Sequence, residues 1–318
     1  MLSAFTLALS ATAPVFLLVL LGLVLKYFKF LDDAFVGKAS ELVFYLFLPC
    51  LFFFTLLDAD IAGFLSPTLS LSLLLFTVGF YLFLELLVKL VPALKSCAGE
   101  FCQSSFRSNL AFIGLSFCAG AYGEEGLARA AVIVAFLTIT YNILSVITLE
   151  KHLSASSRSS IWALIRRIAK NPLIIAIVSG MACNPVSDWV PDFVKTSGDY
   201  LAQITLPLAL LCIGASLSLK PRAESRYGLV LGLVVFFKLI LMPALAVMLV
   251  WYLGYSDMDV GITFLLLSAP TASASFVMVA AMGGDARLTA NFIAATTIGS
   301  LFSVSIGLTL INLYLVTS

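Results

Sequence analysis

The residues best placed to do chemistry in this chain are small and uncharged. The stretch SSFRSNLAFIGLSFCAGAYG (104–123) brings together Ser108, Asn109, Gly114 and Ser116, and LLLSAPTASASFVMVAAMGG (265–284) holds Ser268, Pro270, Thr271, Ser273 and Ser275. Both runs are otherwise apolar, so hydroxyls and an amide gather where hydrocarbon side chains would be the default. Proline inside such a run removes one backbone hydrogen bond and frees a carbonyl, which in a bilayer is tolerable only against protein or a cavity. The pattern predicts two discontinuous helices that cross near the bilayer centre and offer free N–H groups and half-helix dipoles. Neither stretch has Asp or Glu at its centre, whereas a cation site of this design would be expected to hold carboxylates. Neutral donors beside positive helix ends point instead to an anion or weak acid, with Asn109 and the hydroxyls of 268–275 on its carboxylate. Tyr141 and Asn142 are polar enough to line the same cavity, or to act as interhelical glue.

Few charges lie deep in apolar sequence. Lys238 sits mid-span, where an isolated charge costs ~2.5–3.5 kcal/mol on insertion scales. It must face protein or water, and pairs either with a substrate carboxylate or with a buried acid. Glu85 and Lys89 are four residues apart in the favourable order for a helical pair. Glu85 lies deeper, which makes it the expected partner of Lys238 and the leading position for proton coupling. Glu125 and Arg129 read as a solvated pair at a helix start.

Enzyme chemistry finds no constellation. The lone histidine, His152, reads as a cytoplasmic loop residue, and the six cysteines have no C-x-x-C spacing. Redox and metal sites are therefore not expected. No G-x-x-x-x-G-K-[ST] run is present, so ATP is not a direct energy source and no cofactor is implied. Gly283-Gly284-Asp285 has no second intramembrane aspartate with which to form a protease dyad.

Composition sets what must position these residues. The chain has 318 residues, is 61% hydrophobic and only 11% charged, and has a mean hydropathy of +1.10. Soluble domains average ~45–50% apolar and ~25% charged residues, so a polytopic membrane protein is the class that fits. The net charge of +1 gives no field for nucleic acid. Hydropathy breaks define ten segments: 6–28, 36–57, 67–90, 103–122, 127–149, 171–190, 195–218, 228–252, 260–282 and 288–313. With both termini outside, the cytoplasmic connections take all but three of the 18 Lys and Arg, Arg107 among them. Arg129 and Lys195 remain outside and Lys238 mid-span. That asymmetry predicts a multi-pass protein of the cell (inner) membrane. In the 150–170 connection, Ile161, Leu164, Ile165 and Ile168 beside Arg158, Arg166, Arg167 and Lys170 suggest a short interfacial helix, with a solvated loop as the alternative.

The halves echo one another. A displacement of 158 residues pairs Pro14 with Pro172, Gly22 with Gly180, and Leu48-Pro49 with Leu206-Pro207; one of 160 pairs Ser108 with Ser268 and Gly123 with Gly283. Residues 1–150 and 171–318 therefore read as two five-helix repeats joined by a linker at 151–170. An odd number of crossings inverts the second repeat, the architecture of secondary transporters. Pro49 and Pro207 fall at equivalent depths, as helix breaks or as packing kinks; Pro243 lies in the eighth segment.

These residues resemble a family. Asn109-x4-Gly114-Leu115 leading to Gly123-Glu124-Glu125-Gly126-Leu127-Ala128 is similar to the first crossover of the auxin efflux carrier family. Asn171-Pro172-Leu173 with Gly180, then Leu206-Pro207-Leu208-Ala209-Leu210 and Gly214-Ala215-Ser216-Leu217, resemble its sixth and seventh helices. Pro270-Thr271-Ala272 before Gly283-Gly284-Asp285-Ala286 resembles its second crossover. The resemblance spans nearly the whole chain and favours a bacterial-type member, since the hydrophilic loop at 150–170 is short. It implies a carrier of organic acids such as auxins, malate or malonate, in a sodium/proton antiporter-like or bile-acid symporter-like fold. It also implies a homodimer in which helices 1, 2, 6 and 7 form a scaffold and helices 3–5 and 8–10 an elevator-like transport domain. Ser116 stands where that family's first crossover usually has proline, which predicts a weaker break in the fourth segment than in the ninth. The competing reading is a membrane sensor that binds an organic acid without moving it.

Overall fold

The computed structural model describes residues 2–57, 68–153, 162, 166, 169–217 and 225–314, and among these it is all-helical, with no strand longer than a single bridge. The helices are α1 (Leu2–Tyr27), α2 (Asp33–Leu57), α3 (Thr68–Leu90), α4 (Ala98–Phe106) and α5 (Leu115–Leu153). They continue with α6 (Pro172–Cys183), α7 (Asp192–Ser216), α8 (Tyr227–Tyr252), α9 (Asp257–Ser268), α10 (Ala274–Ala281) and α11 (Ala286–Tyr314). Among the described residues 6 helices are long and apolar enough to cross a membrane. The other segments of the sequence are α1, the short α6, and the two interrupted runs, whose halves are each too short to span alone. The interfacial helix expected around Ile161, Leu164, Ile165 and Ile168 lies outside the described residues.

Polarity runs inside out. On α3, Leu71, Leu75, Leu82 and Leu86 form an exposed stripe, while Thr77, Tyr81 and Glu85 are buried. A leucine stripe facing outward over a polar buried stripe is stable where the surroundings are hydrocarbon.

Local chemistry explains the irregular turns. Proline cannot donate to the carbonyl four residues back, and its ring clashes with it. Pro49 follows a π turn at Val43–Phe47 and Pro243 follows one at Phe237–Leu241. In each, the carbonyl the proline cannot reach lies inside the wider turn, so the helix continues. Pro207 sits within α7 with no such turn. α2 starts at an Asp32 cap whose Oδ1 accepts from the Phe35 N–H at 2.7 Å.

Glycines set the closest helix crossings. A Cβ on Gly22 of α1 would overlap the Leu211 backbone of α7, and one on Gly214 would overlap Val19 of α1. At the crossing of α6 on α2, a Cβ on Gly180 would stand 2.8 Å from the Phe53 carbonyl oxygen. Gly22 and Gly180, matched by the 158-residue displacement, thus do the same work in α1–α7 and α6–α2. Gly123 and Gly283, matched by 160, both take positive φ, 64° and 79°. Gly123 divides α5 into two helices, with φ 64 and ψ −151 at the break.

Candidate functional site

Two interrupted helices meet at the centre of the molecule. α4 ends at Phe106, the chain extends through Arg107, Ser108 and Asn109, and a π turn at Leu110–Gly114 leads into α5. α9 ends at Ser268 and the chain extends to Ser273 before α10 begins. The extended pieces pair antiparallel at Ser108 and Thr271. Asn109 N–H donates to the Pro270 carbonyl at 2.8 Å, and Ala272 N–H to the Arg107 carbonyl at 3.1 Å. This pairing replaces helical hydrogen bonds that the break gives up, which is why backbone of this kind survives in the interior. The fourth segment is therefore broken as fully as the ninth, contrary to the expectation from Ser116. The break falls upstream at 107–109 and is held by the partner strand, so no proline is required.

The C-terminal ends of α4 and α9 carry the negative half-dipoles, and both receive donors. Thr271 Oγ1 donates to the Ser104 carbonyl at 2.7 Å. Lys238 Nζ donates to the Leu267 carbonyl at 2.7 Å and to Ser108 Oγ at 2.6 Å. Lys238 is 0% exposed and is carried by the π turn of α8. Its expected partnership with Glu85 does not form. Glu85 instead accepts from Thr148 Oγ1 at 2.7 Å and pairs with Lys151 and His152, both at the end of α5. His152 thus belongs to a helix rather than a loop, and Lys89 is exposed instead of pairing with Glu85. The solvated pair expected at 125–129 does form, Arg129 to Glu125 at 3.0 Å.

A cavity of about 90 Å³ lies against the crossing. One wall is Val43, Leu48, Leu51 and Phe52 of α2 with Thr205, Leu206 and Ala209 of α7; the other includes Arg107, Ser108, Asn109, Tyr141, Ala272 and Ser273. The Ser273 hydroxyl is buried and has no hydrogen-bond partner. The helix starts after Asn109 and Ser273 border the cavity, so positive half-dipoles face it. A second, more open indentation of about 530 Å³ adjoins through the shared Leu51 and Leu206 and is lined by Thr55, Asp199, Gln203 and Pro207.

Arg107 lies where its charge alone does not predict. Grouped by charge with the cytoplasmic cations, it is 4% exposed and lines the cavity. Its guanidinium donates to Asn142 Oδ1 at 2.6 Å and to Met278 Sδ at 2.8 Å. Asn142 spends its own Nδ2 on the Thr138 carbonyl at 2.8 Å, which turns Oδ1 toward the arginine. No carboxylate among the described residues forms an ion pair with Arg107 or Lys238. The signal was present, since Arg107 lies inside an apolar segment between two serines and an asparagine.

Of the other expected site residues, Ser108, Asn109, Tyr141 and Ser273 surround the cavity, and Asn142 acts one step behind it through Arg107. Pro270 and Thr271 build the crossing itself. Ser275 is buried in α10 and does not line the cavity, and Ser116 is exposed away from it. Gly114 makes room for α9, since a Cβ there would stand 3.1 Å from Leu266 Cδ2. Pro207 lines the adjoining indentation, and Pro49 lines neither it nor the cavity.

Known proteins align with this chain over three quarters or more of its length. Residues 7–308 match the family described as membrane transport protein. An uncharacterized transporter of Methanocaldococcus jannaschii is 28% identical over 308 residues, covering 92% of this chain and 95% of that protein. A provisionally named malonate transporter of Rhizobium meliloti is 28% identical over 255 residues, 76% of this chain and 77% of its own. An uncharacterized transporter of Methanothermobacter thermautotrophicus is 25% identical over 295 residues, 91% of this chain and 94% of its own. With the family match running from the first helix to the last, the chain belongs to the membrane transport protein family, of the auxin efflux carrier type.

Proposed function

We propose that this protein carries small organic anions, dicarboxylates foremost, across the cell membrane by alternating access. The observation that carries the reading is Arg107, a cavity-lining guanidinium held by an amide oxygen and a thioether, with no carboxylate on it. A buried cation without a counter-charge is costly. A carboxylate entering the cavity would supply the missing charge and accept bidentate donation. Lys238 stands directly behind, through Ser108. Two cations and no acid at one crossing favour a dianion over a monoanion, in keeping with the malonate named for the Rhizobium meliloti relative. Asn109 and Ser273 complete the donor set for the far oxygens.

In this reading the chain is a pair of inverted five-helix repeats, and the two cavity walls belong to different bodies. α1, α2, α6 and α7 form a dimerising scaffold, and α3–α5 with α8–α11 form a transport domain that moves past it like an elevator. Support comes from the makeup of the cavity, whose α2 and α7 wall is almost wholly apolar while the crossing supplies every charged donor. An apolar wall over which a polar site can slide leaves no hydrogen bond to be broken in transit. The indentation at Thr55, Asp199 and Gln203 is then one approach to the site.

Uptake of labelled malonate by the purified protein in liposomes tests the reading. The wild-type chain should accumulate label, and Arg107→Gln should remove uptake while leaving insertion and the folded state intact. Uptake undiminished in the variant would sink the assignment. Binding without flux in the wild-type protein would identify a sensor instead of a carrier.

A further inference from the structure

A groove of about 600 Å³ lies away from the substrate cavity, where the end of α1, the start of α2, the end of α7 and the start of α11 meet. Its walls are apolar, from Leu23, Val24, Ala215 and Leu217, and Lys26 and Arg287 belong to the same lining. Both cations turn to a single acid: Lys26 Nζ is 2.7 Å and Arg287 3.9 Å from the Asp33 carboxylate. One carboxylate cannot neutralise two cations, so the groove carries a net positive charge. Arg287 remains 63% exposed at its side chain, with donors free of Asp33. Tyr27 and Phe28 also line it and are strongly exposed, and tyrosine is enriched at the level of lipid headgroups.

The turn that follows is unusual as well. Lys29 has φ 61 and is the one non-glycine residue with positive φ among the described residues. Phe30 N–H bonds the Leu25 carbonyl at 2.9 Å and Lys29 N–H the Lys26 carbonyl at 3.1 Å, a helix-end pattern that glycine accommodates at least cost. A lysine there accepts backbone strain in the turn that joins α1 to α2.

We propose that this groove binds an anionic phospholipid, its phosphate between Lys26 and Arg287 and the start of an acyl chain along Leu23, Val24 and Leu217. Basic pockets between membrane helices hold headgroups of this kind, and an apolar wall running into a basic mouth matches a phospholipid and not a free ion. The lipid would add to the packing of α1 and α7 on α11 at a point where the Arg287–Asp33 pair is exposed and therefore weak.

Thermal unfolding of the delipidated, detergent-solubilised protein tests this without any transport measurement, so its outcome is independent of the substrate assignment. Phosphatidylglycerol should raise the Tm by about 2–4 °C, a ligand-linked shift, and phosphatidylcholine of the same chains should not. Lys26→Gln with Arg287→Gln should remove the phosphatidylglycerol increment, and Lys26→Arg with Arg287→Lys should keep it. Equal stabilisation by the two lipids, an increment that survives the glutamine pair, loss in the charge-conserving pair, or an equal shift with inorganic phosphate alone would each overturn the proposal.

Discussion

Arg107 and Lys238 are both buried at the crossing, and their surroundings give them different tasks. Lys238 donates to a helix-terminal carbonyl and a serine hydroxyl, so its ammonium is already occupied with holding α9 to the 107–109 strand. Arg107 has a fork of donors of which the structure uses two nitrogens, one on a thioether, a weak acceptor. In the proposed reading, direct contact with a carboxylate falls to Arg107, and Lys238 would act on the ligand through Ser108 and through its charge. Lys238→Met, which keeps the length of the stem, should weaken dicarboxylate binding by about tenfold, ~1.4 kcal/mol. Arg107→Gln should cost about 100-fold or more, the range for losing one partner of a buried charge pair. Titration calorimetry on the two variants checks the order. An equal loss in both would mean that Lys238 touches the ligand itself.

At the scale of elements, close approach rather than charge holds α1 to α7. Gly22 and Gly214 face each other's helix backbones with no room for a side chain. In lipid this kind of contact matters more than apolarity, because hydrocarbon outside is as apolar as leucine inside. Gly22→Val should destabilise the fold by roughly 1–3 kcal/mol, the cost of overpacking a filled contact, and lower the Tm and the yield of monodisperse protein. Gly37, whose Cβ position has nothing within 4 Å, is the control: Gly37→Ala should leave both unchanged. A Tm for Gly22→Val equal to that of the control would show that the crossing gives way without cost. The π turns act at the same scale. By absorbing the carbonyls that Pro49 and Pro243 cannot serve, they keep α2 and α8 continuous while aiming Val43 at the cavity and Lys238 at the crossing.

For the molecule as a whole, the question is whether the two cavity walls move past one another. Thr205 of α7 and Ala272 of the crossing line the same cavity from opposite sides. In a background with the six free cysteines replaced, Thr205→Cys with Ala272→Cys joined by a reducible bifunctional reagent should stop malonate uptake, and reductant should restore it. Full uptake while bridged would exclude displacement of the crossing relative to α7. Each single-cysteine chain, treated alike, should transport normally.

Part of this was legible in the sequence because it is local. The excess of apolar residues, the runs of Ser and Thr in the fourth and ninth segments, the absence of acid there and the glycines at 123 and 283 act through the chain's immediate neighbours. Those features point to an all-helical membrane protein with two interrupted helices, and the break after Ser268 follows from Pro270 and its small neighbours. The identity of partners was decided by the tertiary structure. Lys238 meets Ser108 across 130 positions and Arg107 meets Met278 across 171, distances over which no periodicity carries information. The helical spacing of Glu85 and Lys89 pointed to a pair, yet the end of α5 packs against that face and supplies Thr148, Lys151 and His152 instead. Charge alone assigns Arg107 to water and hence to a loop. Only the pairing of two extended pieces from separate halves of the chain buries a guanidinium at the cavity's edge.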